Sequence, residues 1–359
     1  LIDYQAPMSE VGEQALLRHI RSRIPAWGAG LVLGVGDDAA IVETGPRTLV
    51  TTDALVEGVH FRSEWTPPTL LGRRALTINV ADIAAMGGVP RHATVSLCLR
   101  PDVTFGFIDS FYDGLLERCA ETGINLIGGS LSATNGAIVI DVTLIGDSDQ
   151  CLRRSGALPG DCVAVTGTLG AAAAGSRLLA QGARLNADGT LASTGLWTES
   201  SSTAVLHCLR AHLDPTPPLT LARSLAERGF VHAAIDVSDG LSSDLLALCI
   251  ESNLSAWIDP ERIPLDKHAT NLERARGGDA LALALHGGED YQLLIAVPAA
   301  KIEEAKAESM MWDVALTCVG EFEAGEPAVS LKLDETLTAL SCDAQDHFRA
   351  HGRPGKSGR

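Results

Sequence analysis

Runs of alternating apolar and β-branched residues predict strands at roughly 31–35, 39–42, 48–53, 92–100, 137–146 and 161–166, and again at 233–237, 254–258, 291–297 and 314–320. Between them, apolar positions at helical spacing predict helices over 67–86, 104–122, 169–182, 199–212, 219–228, 239–252 and 299–310. Several open after Pro, Thr, Ser or Asp and close at Gly, as helix ends do. Strands come in blocks as well as in βα alternation, so the pattern predicts a mixed α/β (α+β) chain rather than a simple doubly wound sheet. The polar, turn-rich segment 146–161 interrupts it and places a domain boundary near 148. The expected units are 1–148, 149–348 and a disordered tail at 349–359. Residues 183–200 read as a polar surface excursion, and no tandem repeat is visible.

A length of 359 residues agrees with two domains, and 46% apolar with 20% charged residues supplies ample material for packed cores. The formal charge of −17 argues against a nucleic-acid partner. With 7 Phe, 5 Trp and 3 Tyr, the chain also lacks the aromatics of a base-stacking platform. An acidic chain binds phosphates readily once it recruits divalent metals, so the placement of the carboxylates matters more than their sum. The eight cysteines lie at least eleven residues apart, which excludes CxxC pairs and suggests reduced thiols. No signal pattern or run of about 18 apolar residues appears, so a cytoplasmic protein without membrane contact is expected. The start at Leu1 suggests a trimmed or partial N-terminus.

Carboxylates gather at strand ends, where packing gives no reason for them. Gly36-Asp37-Asp38 precedes a strand, and the same residues suit an Asx turn. The run Thr51-Thr52-Asp53 ends a strand with hydroxyl and carboxylate oxygens that suit a hard cation. His60 follows at a position that also suits a surface histidine. Asn79 and Asp82 are three apart on one helix face among apolar neighbours, so Asp82 needs a cation, a salt bridge or a buried hydrogen bond. Asp236-Val-Ser238-Asp239-Gly240 turns a strand into a helix, with Ser238 or Asp239 expected as the N-cap and the turn offering amides and carboxylates to phosphate and metal. Gly287-Gly288-Glu289-Asp290 precedes another strand, and the Gly/Ala-rich turn 166–175 offers amides to a phosphate without matching a P-loop. No Ser/His/Asp triad, zinc cluster or GxSxG elbow stands out.

In this order, Gly36-Asp37-Asp38, Thr51-Thr52-Asp53 with Glu57-Gly58-Val59-His60-Phe61, Asn79-Val-Ala-Asp82, Gly128-Gly129, Arg154-Ser-Gly156, Thr166-Gly-Thr-Leu-Gly170, Asp236-Val-Ser238-Asp239-Gly240 and Gly287-Gly288-Glu289-Asp290-Tyr291 resemble the thiamine-monophosphate kinase family. The resemblance runs from about residue 10 to 348 and extends in outline to the aminoimidazole ribonucleotide synthetase superfamily. It implies a two-domain fold, with an N-terminal domain whose four-stranded sheet pairs across a homodimer into a β-barrel and a C-terminal α/β domain. It implies ATP- and magnesium-dependent phosphorylation of thiamine monophosphate to thiamine diphosphate. By the same resemblance Asp38, Thr51, Thr52, Asp53, Asp82, Asp236 and Asp239 hold Mg2+, and Gly128, Gly129, Ser130, Arg154 and Ser238 bind ATP. His60 and Glu289 contact the acceptor, while Asp53, Arg154 and Asp239 carry catalysis.

The chemistry agrees with such a site. Joining two anionic phosphates is opposed mainly by charge repulsion, which metal ions relieve. The acceptor phosphate has a second pKa of about 6, so it needs no general base. The chain departs from the family pattern at Ser130, where an Asp is usual, at Ala171, and at Asp214 and Pro218, where Arg is usual. The aromatics expected upstream of Asp346-His347-Phe348 are also missing. These departures keep two alternatives open: a nucleotide-binding relative of weakened turnover acting as a binding protein, and a kinase with another acceptor.

Overall fold

The structure, a computed structural model, describes residues 3–25, 28–35, 39–186, 189–192, 199–334 and 336–341. The expected disordered tail and the segment around Cys342, Gln345 and Phe348 lie outside the described residues.

Two sheets organise the chain. Helices α1 (Met8–Val11) and α2 (Glu13–Arg23) precede a small ribbon of β1 (Leu31–Leu33) and β2 (Ile41–Val42). Then come β3 (Thr48–Val56), α3 (Pro68–Ala85), β4 (Val89–Leu99), α4 (Phe105–Thr122), β5 (Asn125–Ala133) and β6 (Val139–Asp147). The long strands form a four-stranded sheet in the order β3-β6-β4-β5, antiparallel except for the β4/β5 pair. Helix α3 is apolar around most of its circumference because it is enclosed: Leu71, Leu76, Ile78, Val80 and Ile83 are all buried. They pack with Leu55, Val95, Ile140, Val142 and Leu144 of the sheet and Phe111 and Leu115 of α4 in one core. The other face of the sheet is partly open, with Val50 67% exposed.

The second half contains β7 (Asp161–Thr166), α5 (Ala171–Ala180), α6 (Glu199–Leu213), α7 (Leu219–Glu227), β8 (Ala233–Asp236) and α8 (Leu241–Ser252). It continues with β9 (Ser255–Ile258), α9 (Lys267–Arg276), α10 (Ala280–His286) and β10 (Leu293–Pro298). Last come α11 (Ile302–Met311), β11 (Leu316–Glu323), β12 (Ala328–Leu333) and β13 (Thr336–Ala339). The seven strands run in the order β13-β12-β9-β11-β7-β10-β8, parallel only between β12 and β9. β7 and β10 read as unbroken apolar runs because both faces are covered. Val163, Val165, Leu294 and Ala296 enter one core, and Ala164, Leu293, Ile295 and Val297 enter another.

The mixed α/β architecture agrees with the hydrophobic pattern, which nevertheless misses α1, α2, α9, α10, β5, β12 and β13. β5 contains Gly128-Gly129-Ser130, residues without strand propensity, and its pairing with β4 holds it in the sheet. A Cβ at Gly129 would lie 2.0 Å from the Val95 carbonyl oxygen, so this close strand contact requires glycine. The expectation of reduced thiols is corrected by a disulfide between Cys162 and Cys318, 156 residues apart. Antiparallel pairing of β7 with β11, around a bulge at Cys318, brings their Cα atoms to 5.9 Å. Among the described residues no helix is long and apolar enough to cross a membrane.

Candidate active site

Three carboxylates from three elements converge where the sheets meet: Asp53 on β3, Asp82 near the end of α3 and Asp236 at the end of β8. The Thr51 hydroxyl donates to Asp82 Oδ2, and the Asp53 carboxyl stands near enough to feel the charge of Asp82. Asp82 thereby acquires the polar partner its apolar helix face requires. Burial first and Asp82 second push the Asp53 carboxyl well above the ordinary range, and burial raises Asp82 despite Thr51 and the Arg154 guanidinium. Asp236, 4% exposed, is pushed up to about 7 by burial and then by Asp82, against the pull of Arg154. Thr51, Asp82, Arg154 and Asp236 line one cavity of about 300 Å³.

This is an all-oxygen donor set whose members repel one another, the chemistry that a hard divalent cation relieves. Asp53, Asp82, Asp236 and the Thr51 hydroxyl therefore fit magnesium by donor type. Among the described residues no three His, Cys, Asp or Glu side chains are already gathered closely enough to hold a metal. Asp37 and Asp38 lie outside the described residues.

Thr52 does not join the cluster. Strand alternation turns its side chain to the other sheet face, where its hydroxyl stands 3.2 Å from Thr143 Oγ1 and 3.3 Å from Asp141 Oδ1. Gly128, Gly129 and Ser130 are not brought to it within one chain either. The pairings Asp53↔Val142, Val142↔Val95 and Val95↔Gly129 place them three strand spacings away, about 14 Å.

A second cavity of about 410 Å³ adjoins the turn after Asp236 and is lined by His60, Ser238, Asp239, His212 and Glu289. His60 Nδ1 accepts from the Val56 amide at 3.1 Å, which leaves the ring proton of the neutral imidazole on Nε2. Glu289 sits at φ +61, its amide donating to the Ser238 carbonyl at 2.8 Å. Gly288, at φ +66, permits this approach: a Cβ there would lie 2.3 Å from the Ser238 oxygen. The expected N-cap role of Ser238 or Asp239 is corrected, because Gly240 is the N-cap of α8 and no side chain caps it. Buried Asp244 instead accepts from the Asp239 amide at 3.1 Å, and burial with Asp236 and Asp239 nearby pushes its carboxyl up to about 8.

The Gly/Ala-rich turn gives several of its amides to the protein itself, Gly167 N donating to the Ala315 carbonyl and Leu169 N to the Pro264 carbonyl. Asp290 accepts from Gly170 N at 2.7 Å and Ala172 N at 3.1 Å, capping α5 from a distant loop. Asp214 also has a structural partner set: Arg73 Nε donates to it at 3.0 Å and Arg118 Nη2 contacts the same carboxylate. Sequence reasoning missed Arg74, His212 and Asp244. The available signal was an arginine inside the apolar run of α3 and an aspartate five residues beyond Asp239.

Two family models match: the AIR synthase related protein N-terminal domain over residues 36–147 and its C-terminal domain over 159–332. The thiamine-monophosphate kinase of Rhodopirellula baltica is 33% identical over 318 residues, 86% of this chain and 89% of that protein. The chain belongs to the thiamine-monophosphate kinase family. Among solved structures, the thiamine-monophosphate kinase of Stenotrophomonas maltophilia K279a is 34% identical, with a TM-score of 0.74 covering 88% of this chain and 94% of that one. AaThiL complexed with AMPPCP and TMP is 28% identical, with a TM-score of 0.72 covering 96% of this chain and all of that one, 100%. Members of this family are kinases.

Proposed function

We propose that this chain transfers the γ-phosphoryl group of ATP to thiamine monophosphate, giving thiamine diphosphate and ADP. The observation that carries the reading is that one short stretch of chain, Asp236 to Asp239, contributes to the lining of both cavities. Asp236 closes the carboxylate cavity, Ser238 and Asp239 line the neighbouring one, and the Ser238 carbonyl is bonded to the amide of Glu289. A donor phosphate over the carboxylates and an acceptor held by His60 and Glu289 would meet at this turn. The AaThiL complex with AMPPCP and TMP supports this pairing of ligands.

Asp53, Asp82, Asp236 and Thr51 would hold magnesium, with Asp38 and Asp239 as further candidates, and bound magnesium supplies neutralisation of phosphate charge. Arg154, on the wall of the same cavity, is suited to contact the triphosphate. In direct in-line transfer an acceptor phosphate oxygen bonds to the γ-phosphorus as the bond to the β,γ-bridging oxygen breaks, its electron pair leaving with ADP. The acceptor is already dianionic at neutral pH, so the chain needs to align rather than deprotonate it.

We further propose that the division near residue 148 separates two domains and that the protein acts as a homodimer in the cytoplasm. The dimer is favoured by the free edges of β3 and β5 and by the separation of Gly128, Gly129 and Ser130 from Asp53 within one chain. A second copy with its β5 beside β3 would unite them. The alternative of a relative without turnover rests partly on the missing arginine at 214, and the engagement of Asp214 by Arg73 and Arg118 gives that substitution a structural reason instead. Formation of thiamine diphosphate by the purified protein, with Asp53→Asn as the control, tests the reading.

A further inference from the structure

Arg74 belongs to α3 and is 1% exposed, yet it reaches the wall of the acceptor cavity. Its Nη2 donates to Glu289 Oε1, and its Nη1 donates to the His60 carbonyl at 3.2 Å. His212, 7% exposed, places Nδ1 2.9 Å from Glu289 Oε2, though out of line for a hydrogen bond. The protein itself therefore engages one carboxylate oxygen and lies against the other, on a side chain that faces the cavity at 30% exposure.

The charges follow from this packing. Burial would raise the Glu289 carboxyl, but Arg74 and then His212 outweigh it and hold it at about 2, so Glu289 is an anion at neutral pH. Burial and then Arg74 push the His212 imidazole down, so it is neutral there. One buried guanidinium thus compensates one carboxylate. Around the rest of the cavity Arg62 and Arg177 are cationic, Arg177 paired with Glu273 at 3.3 Å, and Asp239 is the remaining acid, on the side of the Asp236 turn. Glu289 itself therefore presents a compensated rather than a naked negative charge to the cavity, while Asp239 stands apart on the other side.

We propose that Arg74 is a positioning and specificity-determining residue: by compensating Glu289 it makes the acceptor pocket indifferent to positive charge on the acceptor ring. The inference rests on the proposed function. Ring shape, hydrogen bonds and the phosphate then select the acceptor, while a naked carboxylate would select the thiazolium cation. The pocket discriminates by form, and its carboxylate serves as an oriented acceptor rather than as a counter-ion.

The test compares thiamine monophosphate with its uncharged thiophene analogue, the deaza monophosphate, in the wild type, Arg74→Lys and Arg74→Met. Both kcat/KM and the dissociation constants from calorimetry are read. In the wild type and Arg74→Lys the two acceptors should differ by less than about threefold, whereas Arg74→Met should shift preference toward the cation by about tenfold or more. A wild-type preference for the cation of about tenfold or more overturns the proposal, and this comparison stands even where Arg74→Met fails to fold. Equal binding of both acceptors without turnover supports charge compensation while sinking the kinase reading. Binding of neither overturns both.

Discussion

The Thr51 hydroxyl donates to the Asp82 carboxylate, joining an edge strand to a helix thirty-one residues on. That bond fixes the geometry of the carboxylate cluster from the side of the four-stranded sheet, while Asp236 enters from the seven-stranded one. The site is consequently built at the junction of two sheets, and substitutions that move either side act on it.

The Gly287–Tyr291 loop is one such lever. Gly288→Ala places a methyl 2.3 Å from the Ser238 oxygen at a left-handed φ of +66. It should cost about 1–3 kcal/mol of stability and raise the acceptor KM, because the 238 turn must retreat. Urea denaturation and acceptor titration read the two effects, and a variant with unchanged midpoint and KM contradicts the tight approach.

Asp214→Ala removes the carboxylate shared by Arg73 and Arg118, whose side chains are 14% and 9% exposed. Glu121 still pairs with both arginines, and Asp214 is itself partly exposed, so the expected loss is about 2–3 kcal/mol rather than that of a fully buried pair. Asp214→Arg, which puts a third guanidinium there, should be less stable still. Equal urea midpoints for all three proteins would show that the clamp contributes nothing.

Glu289 gives a pH signature of definite sign. Its carboxyl is held at about 2 in the folded protein against an ordinary 4.5, so its contribution to stability is present above pH 4.5 and is lost as the pH falls toward 2. Glu289→Gln should be less stable than the wild type at pH 7, and the gap should narrow through that acid window. A gap that stays constant from pH 7 to the acid limit would mean that Glu289 is not held as an anion.

Part of the cluster was legible in the sequence because a carboxylate in an apolar strand or on an apolar helix face has no packing role: Asp236 closes β8, Asp53 lies within β3, which runs on to Val56, and Asp82 stands on α3. Thr52 shows a rule left unused: with period two, residues 51 and 53 share a face and 52 cannot. Other features depend on contacts that no local pattern encodes. Arg74 looks like an ordinary helix arginine until Glu289, 215 positions later, arrives beside it. Asp290 reads as half of an acidic pair, and the fold spends it on capping α5. The Cys162–Cys318 bond follows from the order of strands in a sheet, which spacing does not reveal.

That disulfide supplies a further prediction. It closes a long loop between neighbouring strands, so mild reduction or Cys162→Ser should lower stability by about 2–4 kcal/mol without altering the carboxylate cluster. Thermal unfolding with and without dithiothreitol reads it. Identical transitions, with all eight cysteines counted as free thiols in the denatured, unreduced protein, would contradict the bond.

The central claim is transfer between two bound phosphates at the Asp236–Gly240 turn. The most direct measurement is a single-turnover reaction of the purified protein with magnesium, γ-labelled ATP and thiamine monophosphate, following the label in thiamine diphosphate. The account predicts that the label appears in thiamine diphosphate in step with ADP, and that Asp53→Asn slows this by about a hundredfold or more while the protein remains folded. ATP binding without labelled thiamine diphosphate at any magnesium concentration, or full activity in Asp53→Asn, would contradict it.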